Sequence, residues 1–166
     1  MRRPVIGVMG GSAASAATLA EARELGRLIA GRGWVLLNGG RAQGVMGASA
    51  QGAREAGGMV VGVLPGWDAS DAAKDLDVAI VTGMGDARNV INVLSSDVVI
   101  ACSGGAGTLS EVALALKNGK PVILLGFDPG PAVEPYRRTG QLHAARDPAE
   151  AVAQAAAILT QSGLTA

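Results

Sequence analysis

Apolar positions along this chain fall into two alternating patterns. Short runs that are apolar at nearly every position recur: Val5–Met9, Trp34–Asn38, Met59–Leu64, Val78–Val81, Val98–Cys102 and Val122–Leu125. Their length is that of strands, and the lack of polar alternation predicts burial on both faces. Between them the period changes. Leu19, Ala22, Leu25, Leu28 and Ile29 predict a helix over Thr18–Arg32, with Thr18 and Glu21 as a capping box and Gly31 and Gly33 at its end. Further helices are predicted over Val45–Ala56, from a cap at Asp86 to Ser95, and over Thr108–Asn118. Leu142–Ala144 reads as a short seventh strand. Asp147-Pro148-Ala149-Glu150 opens a last helix with a cap, a proline at the first helical position and an acid at the third. Residues 66–76 read as irregular loop. Residues 126–141, with three prolines and three glycines, read as loop or lid.

Strands that alternate with helices form a parallel sheet covered on both faces. Right-handed crossovers make it an α/β, doubly wound, Rossmann-like sheet of six or seven strands, with residues 1–166 as a single domain. Such sheets bind ligands beyond the carboxyl ends of their strands, where strand order reverses. The glycine loops at 10–12, 39–44 and 104–107 each follow a predicted strand, so all three fall on that edge.

Composition sharpens this picture. Hydrophobic residues make up 49% of the chain but aromatics only 2%, so the core is aliphatic. Fourteen basic residues balance fourteen acidic ones and no basic run occurs, which argues against a nucleic-acid partner. A single cysteine excludes an internal disulfide and a multi-cysteine metal site, and no metal is expected. The apolar run after Arg2 and Arg3 is shorter than the roughly 7–15 residues of a signal core. No stretch reaches the ~18 apolar residues of a membrane span. The expectation is a cytoplasmic protein with no membrane partner.

The segment Ser103-Gly104-Gly105-Ala106-Gly107-Thr108-Leu109-Ser110-Glu111 carries the chemistry. A glycine loop between strand and helix leaves backbone N–H groups aimed at one point, where the helix dipole adds positive character. A phosphate is the natural guest. Other cofactor classes fit poorly. The first strand leads into Gly7-Val8-Met9-Gly10-Gly11-Ser12 rather than G-x-G-x-x-G, and Asn38 stands where a ribose-binding acid belongs. No P-loop and no Gly-x-Ser-x-Gly elbow occurs. His143 is the sole histidine, so any serine or cysteine triad would need it.

Three segments together resemble the Lonely-guy (LOG) family and its relatives, once mislabelled lysine decarboxylases. They are Asn38-Gly39-Gly40-Arg41-Ala42-Gln43-Gly44-Val45-Met46-Gly47, Met84-Gly85-Asp86-Ala87-Arg88-Asn89 and Ser103 to Glu111. They look like the family's GGG-x-x-G-x-M-G, M-x-x-R-K and PGG-x-GT-x-x-E motifs. LOG enzymes hydrolyse the N-glycosidic bond of cytokinin riboside 5′-monophosphates. The resemblance implies Arg88 and Glu111 as a catalytic pair and Gly104, Gly105, Gly107 and Thr108 as a phosphate cradle. No cofactor is needed for such hydrolysis. Ser103 replaces the motif's proline and Asn89 its lysine. The run Ala87 to Val99 looks closer to a branch that includes molybdenum-cofactor carriers. That branch implies a bound phosphorylated pterin, with molybdenum cofactor as the carried ligand. LOG-like proteins are commonly dimers or larger, so the resemblance also implies a homodimer or higher homo-oligomer.

Two readings therefore stay open: a phosphoribohydrolase acting on a nucleoside 5′-monophosphate, or a non-enzymatic carrier of a phosphorylated heterocycle. General nucleotide sensing is a third. Around the cradle, Gly10, Gly11 and Ser12 line a pocket or form a plain turn. Gly39 and Gly40, with Arg41, make a second wall or a tight turn. Met84 and Asn89 belong to the second motif, and Ala106 to the cradle loop. Asn92, one turn after Arg88, reaches a ring edge or is a surface polar residue. Glu111 serves chemistry or closes a T-x-x-E capping box with Thr108. Arg88 meets a ligand or pairs with Asp86 or Glu111. Cys102 is a buried small residue or touches a cofactor sulfur or metal. Pro65-Gly66-Trp67 supplies an aromatic lid or an interface anchor.

Overall fold

The computed structural model describes residues 2–164. In chain order it contains β1 (Val5–Met9), α1 (Ala16–Gly31), β2 (Val35–Asn38), α2 (Gly44–Glu55), β3 (Met59–Leu64) and β4 (Val78–Val81). A 3-10 turn (Gly85–Arg88) then leads into α3 (Asn89–Ser95), followed by β5 (Val98–Cys102), α4 (Ala106–Lys117) and β6 (Val122–Leu125). A second 3-10 turn (Pro131–Val133), α5 (Glu134–Arg138), β7 (Leu142–Ala145) and α6 (Pro148–Gln161) complete the chain. The seven strands form one sheet in the order β4-β3-β2-β1-β5-β6-β7, and every pairing is parallel. The chain winds outward from β1 to β4, then restarts beside β1 with β5. Strand order reverses between those two central strands, as the doubly wound expectation requires.

Side-chain alternation divides the core. Ile6, Val8, Ile100 and Ile123 enter the layer under α1, α2 and α6. Met9, Val99, Ala101 and Leu124 enter the layer under α3 and α4. Burial on both faces is why these strands read as continuous apolar runs. β4 is the exception: Val78, Ala79, Ile80 and Val81 are all exposed on the sheet edge. Among the described residues, no helix is long and apolar enough to cross a membrane.

Four local expectations need correction. α1 starts at Ala16 and is capped by Ser15, whose Oγ accepts the Thr18 N–H, so Thr18 and Glu21 are not its box. Asp86 caps no helix; it sits in a 3-10 turn whose cap position is Met84, because Gly85 takes a positive φ there. α4 begins at Ala106, so Thr108 is already inside it and cannot cap with Glu111. Residues 126–141 are not an open loop: they contain α5, and Phe127, Val133 and Tyr136 pack against the second core.

Helices α1 and α2 meet backbone to backbone. A Cβ on Gly26 would strike the Ser49 carbonyl, and one on Gly52 the Arg23 carbonyl. Gly31, at the end of α1, faces open space. Gly52→Ala should therefore lose stability, by about 2 kcal/mol of overpacking, although alanine is the better helix former by about 1 kcal/mol. Gly31→Ala should gain up to about 1 kcal/mol. Urea unfolding of both variants checks this; equal gains would refute the close approach.

Candidate functional site

Three loops meet where strand order reverses. The Gly11 N–H donates to the Ser103 carbonyl at 3.0 Å, and the Gly11 carbonyl accepts from the Val45 N–H at 3.0 Å. No side chain fits between these backbones. A Cβ on Gly104 would stand 2.8 Å from the Gly11 nitrogen and would strike the Thr108 hydroxyl. A Cβ on Gly10 would stand 2.6 Å from Val45 side-chain carbons. Gly44, at φ +60°, would collide with the Gly11 carbonyl.

The crevice above this junction encloses a cavity of about 250 Å³. Of the residues singled out from the sequence, Gly10, Gly11, Ser12, Gly39, Arg88, Asn89, Gly105, Gly107, Thr108 and Glu111 line it. The other six stand outside the wall. Ser103 and Gly104 are part of the backbone junction behind it. Ala106 is exposed at the start of α4. Gly40, at φ +77°, turns the chain and donates its N–H to Asn38 Oδ1 at 2.8 Å. Met84 is half exposed on the surface. Asn92 is fully buried behind Glu111. Sequence reasoning did not number Val8, Met9, Met46 and Asp86 among the ligand residues, yet all four line the cavity, as does Arg41, which the sequence offered as part of a second wall. Arg41 stands where the glycine-rich motif has its third glycine, and that departure was the available signal.

Each wall has a local cause. Buried Asn38 donates to the Met46 carbonyl at 2.9 Å and to Ser49 Oγ at 3.2 Å, tying the loop after β2 to α2. The ribose-binding acid absent from this position is thus replaced by a structural strap. Asn89 Nδ2 donates to Ser110 Oγ at 3.1 Å, and that hydroxyl donates to the Gly107 carbonyl at 2.7 Å. These bonds join the start of α3 to the start of α4. The cap position of α4 is Gly105, with no side-chain cap, so no side-chain oxygen answers the first amides of α4, whose first turn contributes Gly107 and Thr108 to the cavity wall. A Cβ on Gly105 would meet nothing within 4 Å.

Arg88 and Glu111 are 8% and 7% exposed, and Arg88 Nη1 lies 3.9 Å from Glu111 Oε1. Asn92 Nδ2 donates to the same oxygen at 3.0 Å. Burial pushes the Glu111 carboxyl above its ordinary pKa, against the opposing pull of Asn92 and Arg88. Burial also lowers the pKa of Arg88; Glu111 opposes that shift, and the neighbouring charge of Arg41 adds to it. The Arg88 guanidinium lies against Gly39, where a Cβ would stand 2.6 Å from Nη1. Arg41 Nε, Arg88 Nε and Asn92 Oδ1 are buried without a hydrogen-bond partner among the described residues. Two guanidiniums beside one helix start, each with an unanswered donor, are suited to a bidentate anion such as phosphate.

Other candidates lie elsewhere. Cys102 is buried in the first core, and burial raises its thiol to about 12, so neither exposure nor thiolate supports a cofactor contact. His143 lies on β7, the strand at one end of the sheet. Trp67 is 89% exposed and does not line the cavity; its ring lies over Gly83. Residues 126–141 contribute nothing to the cavity wall.

The sequence profile described as the SLOG cluster4 family matches residues 3–152. Among solved structures, the molybdenum cofactor binding protein of Rippkaea orientalis superposes with a TM-score of 0.88 and 50% identity, covering 99% of both chains. The molybdenum cofactor carrier protein of Chlamydomonas reinhardtii superposes at 0.86 with 46% identity, covering 96% of this chain and 99% of its own. A cytokinin riboside 5′-monophosphate phosphoribohydrolase of Mycobacterium tuberculosis is 40% identical over 112 residues. That match spans 63% of this chain and 60% of the relative's length.

The buried carboxyl makes stability depend on pH. Below its ordinary value of 4.5, Glu111 is protonated in both folded and unfolded chains and its contribution is fully present. As pH rises through the higher folded value, ionisation in the buried site removes that contribution. Glu111→Gln should therefore unfold at a higher temperature than wild type at pH 8, and the gap should close towards pH 4. Thermal melts across that range check this; a pH-independent gap would contradict it.

Proposed function

This chain belongs to the SLOG cluster4 family, and from that premise we propose that it captures a phosphorylated heterocycle by its phosphate, with the molybdenum cofactor as cargo. The observation that carries the reading is the pair Arg41 and Arg88. Both line one cavity at the uncapped start of α4, and the Nε of each is buried without a partner. A phosphate placed there takes the free amides of α4 along the helix dipole. It also takes the forked donors of two guanidiniums and relieves their mutual repulsion. Gly105 and Gly107 leave room for its oxygens. Asp86 is the acid on this wall whose charge opposes an anion. Burial shifts Glu111 towards its neutral form, which lessens its repulsion of an anion.

Similarity to the Rippkaea orientalis and Chlamydomonas reinhardtii proteins over nearly the whole chain supports a phosphate-bearing pterin as the guest. The match to the Mycobacterium tuberculosis relative, which spans only part of each chain, supports a second reading, hydrolysis of a nucleoside 5′-monophosphate. The specific observation in its favour is that Glu111 and Arg88 sit together on the cavity wall. In that reaction water adds to the ribosyl carbon as the bond to the base breaks, and an ionised carboxylate stabilises the oxocarbenium-like transition state. Burial of Glu111 works against the ionised form this needs. The cradle serves capture without that demand, so binding is the reading we favour.

Gly105→Asp places a carboxylate into open space beside the amides. It should keep the fold and lower affinity for a pterin phosphate or nucleoside monophosphate more than about tenfold, equivalent to roughly 1.4 kcal/mol. Calorimetry alongside thermal melts checks this, and unchanged affinity in the folded variant would overturn the cradle. Native mass spectrometry of freshly purified protein, with fluorescence of oxidised pterin, should find a retained pterin. Base released from AMP or cytokinin ribotides above background, without retained pterin, would favour the hydrolase instead.

A further inference from the structure

The cavity above the helix start is about 250 Å³, below the roughly 300–1,000 Å³ of sites that enclose a whole small molecule. It accommodates the phosphate end of a ligand and leaves the ring to be placed. Arg41 also lines a second cavity, of about 390 Å³, whose other walls are Ala42, Gln43, Ser70, Asp71 and Ala72. The two compartments thus share Arg41. The second is built from segments that are fixed to each other. Arg41 pairs with Ala72 in an antiparallel bridge, and the Ala73 N–H donates to the Gly40 carbonyl at 2.8 Å. Ala42 and Ala72 give it a small apolar surface. Gln43, Ser70 and Asp71 bring an amide, a hydroxyl and a carboxylate, and among the described residues the side chains of Gln43 and Asp71 take no hydrogen bond or ion pair. The cap position of α2 is Gln43, yet its side chain makes no capping bond.

We propose that this second compartment is the ring subsite of the same ligand, and that Asp71 selects a 2-amino-4-oxopyrimidine, the ring common to pterins and guanine. The inference rests on the phosphate reading of the first compartment. A carboxylate accepts two hydrogen bonds side by side. A 2-amino-4-oxopyrimidine offers a ring N–H beside an exocyclic amino group, which match it. Adenine presents an unprotonated ring nitrogen at the corresponding edge, and that lone pair faces the carboxylate unfavourably. Gln43 can donate to the ring's carbonyl oxygen, and the Arg41 guanidinium lies between ring and phosphate. A site built to hydrogen-bond a donor pair discriminates strongly against a ring lacking it, because its own polar groups would be left unanswered.

The test compares GMP and AMP by calorimetry on the full chain, in wild type and in Asp71→Asn. Wild type should prefer GMP by at least about tenfold, and in Asp71→Asn the ratio of the two affinities should fall towards one. An Asp71 that only supports the loop would weaken both nucleotides together and leave the ratio intact, which would overturn the proposal. Equal affinity of wild type for GMP and AMP would overturn the ring subsite alone, while Gly105→Asp would still report on the phosphate cradle. Failure of wild type to bind either nucleotide, or a phosphorylated pterin, would overturn both compartments.

Discussion

At the carboxyl edge of the sheet, three backbones converge on Gly11 with no side chain between them. Its N–H answers the loop after β5 and its carbonyl answers the start of α2. The neighbours Gly10, Gly44 and Gly104 have no room for a Cβ. This junction brings the start of α4, the loop after β2 and Arg88 around one small space. It also sets a limit on the sequence: bulk at any of these glycines would push the loops apart before it altered any ligand contact. The reversal of strand order makes the crevice available in this fold, and the glycine contacts bring its walls close enough to hold an anion.

The polar wall of that crevice keeps charge available where the core usually removes it. Glu111 and Arg88 are nearly buried, and each is displaced from its ordinary titration chiefly by loss of water. Their separation of 3.9 Å is that of a loose pair, and Asn92 takes up the nearer oxygen of the acid. A tight bidentate pair would have consumed the donors of Arg88. Here its Nε is buried without a partner, as is that of Arg41, among the described residues. Unanswered buried donors are costly in a folded chain, and their presence on a single wall supports reading them as held for a guest.

Much of the sheet was legible in the sequence because its strands are buried on both faces and so read as unbroken apolar runs. β1, β3, β4, β5 and β6 begin and end where that pattern does. Helix starts were harder to read. Ser15 outcompetes Thr18 as a cap, and Gly105 starts α4 two residues earlier than the T-x-x-E text suggested, because glycine can take the cap conformation with no side chain to announce it. Residues 126–141 looked open from their prolines and glycines, yet the apolar side chains Phe127, Val133 and Tyr136 were enough to fold them down. The resemblance to the LOG group held at the level of family, and ten of the candidate site residues read from the sequence line one cavity. What sequence alone could not supply was the side each residue faces. Asn92 proved to be a buried partner of Glu111, and Asn38 a strap that ties β2 to α2.

The bonds of Asn38 and the bridge between Arg41 and Ala72 bear on how a guest is met. They hold the walls in place through contacts inside the protein, independent of any ligand. A receptacle already assembled loses little conformational freedom when it is filled, so more of the interaction survives as net affinity. Release is then governed by breaking direct contacts rather than by melting a loop.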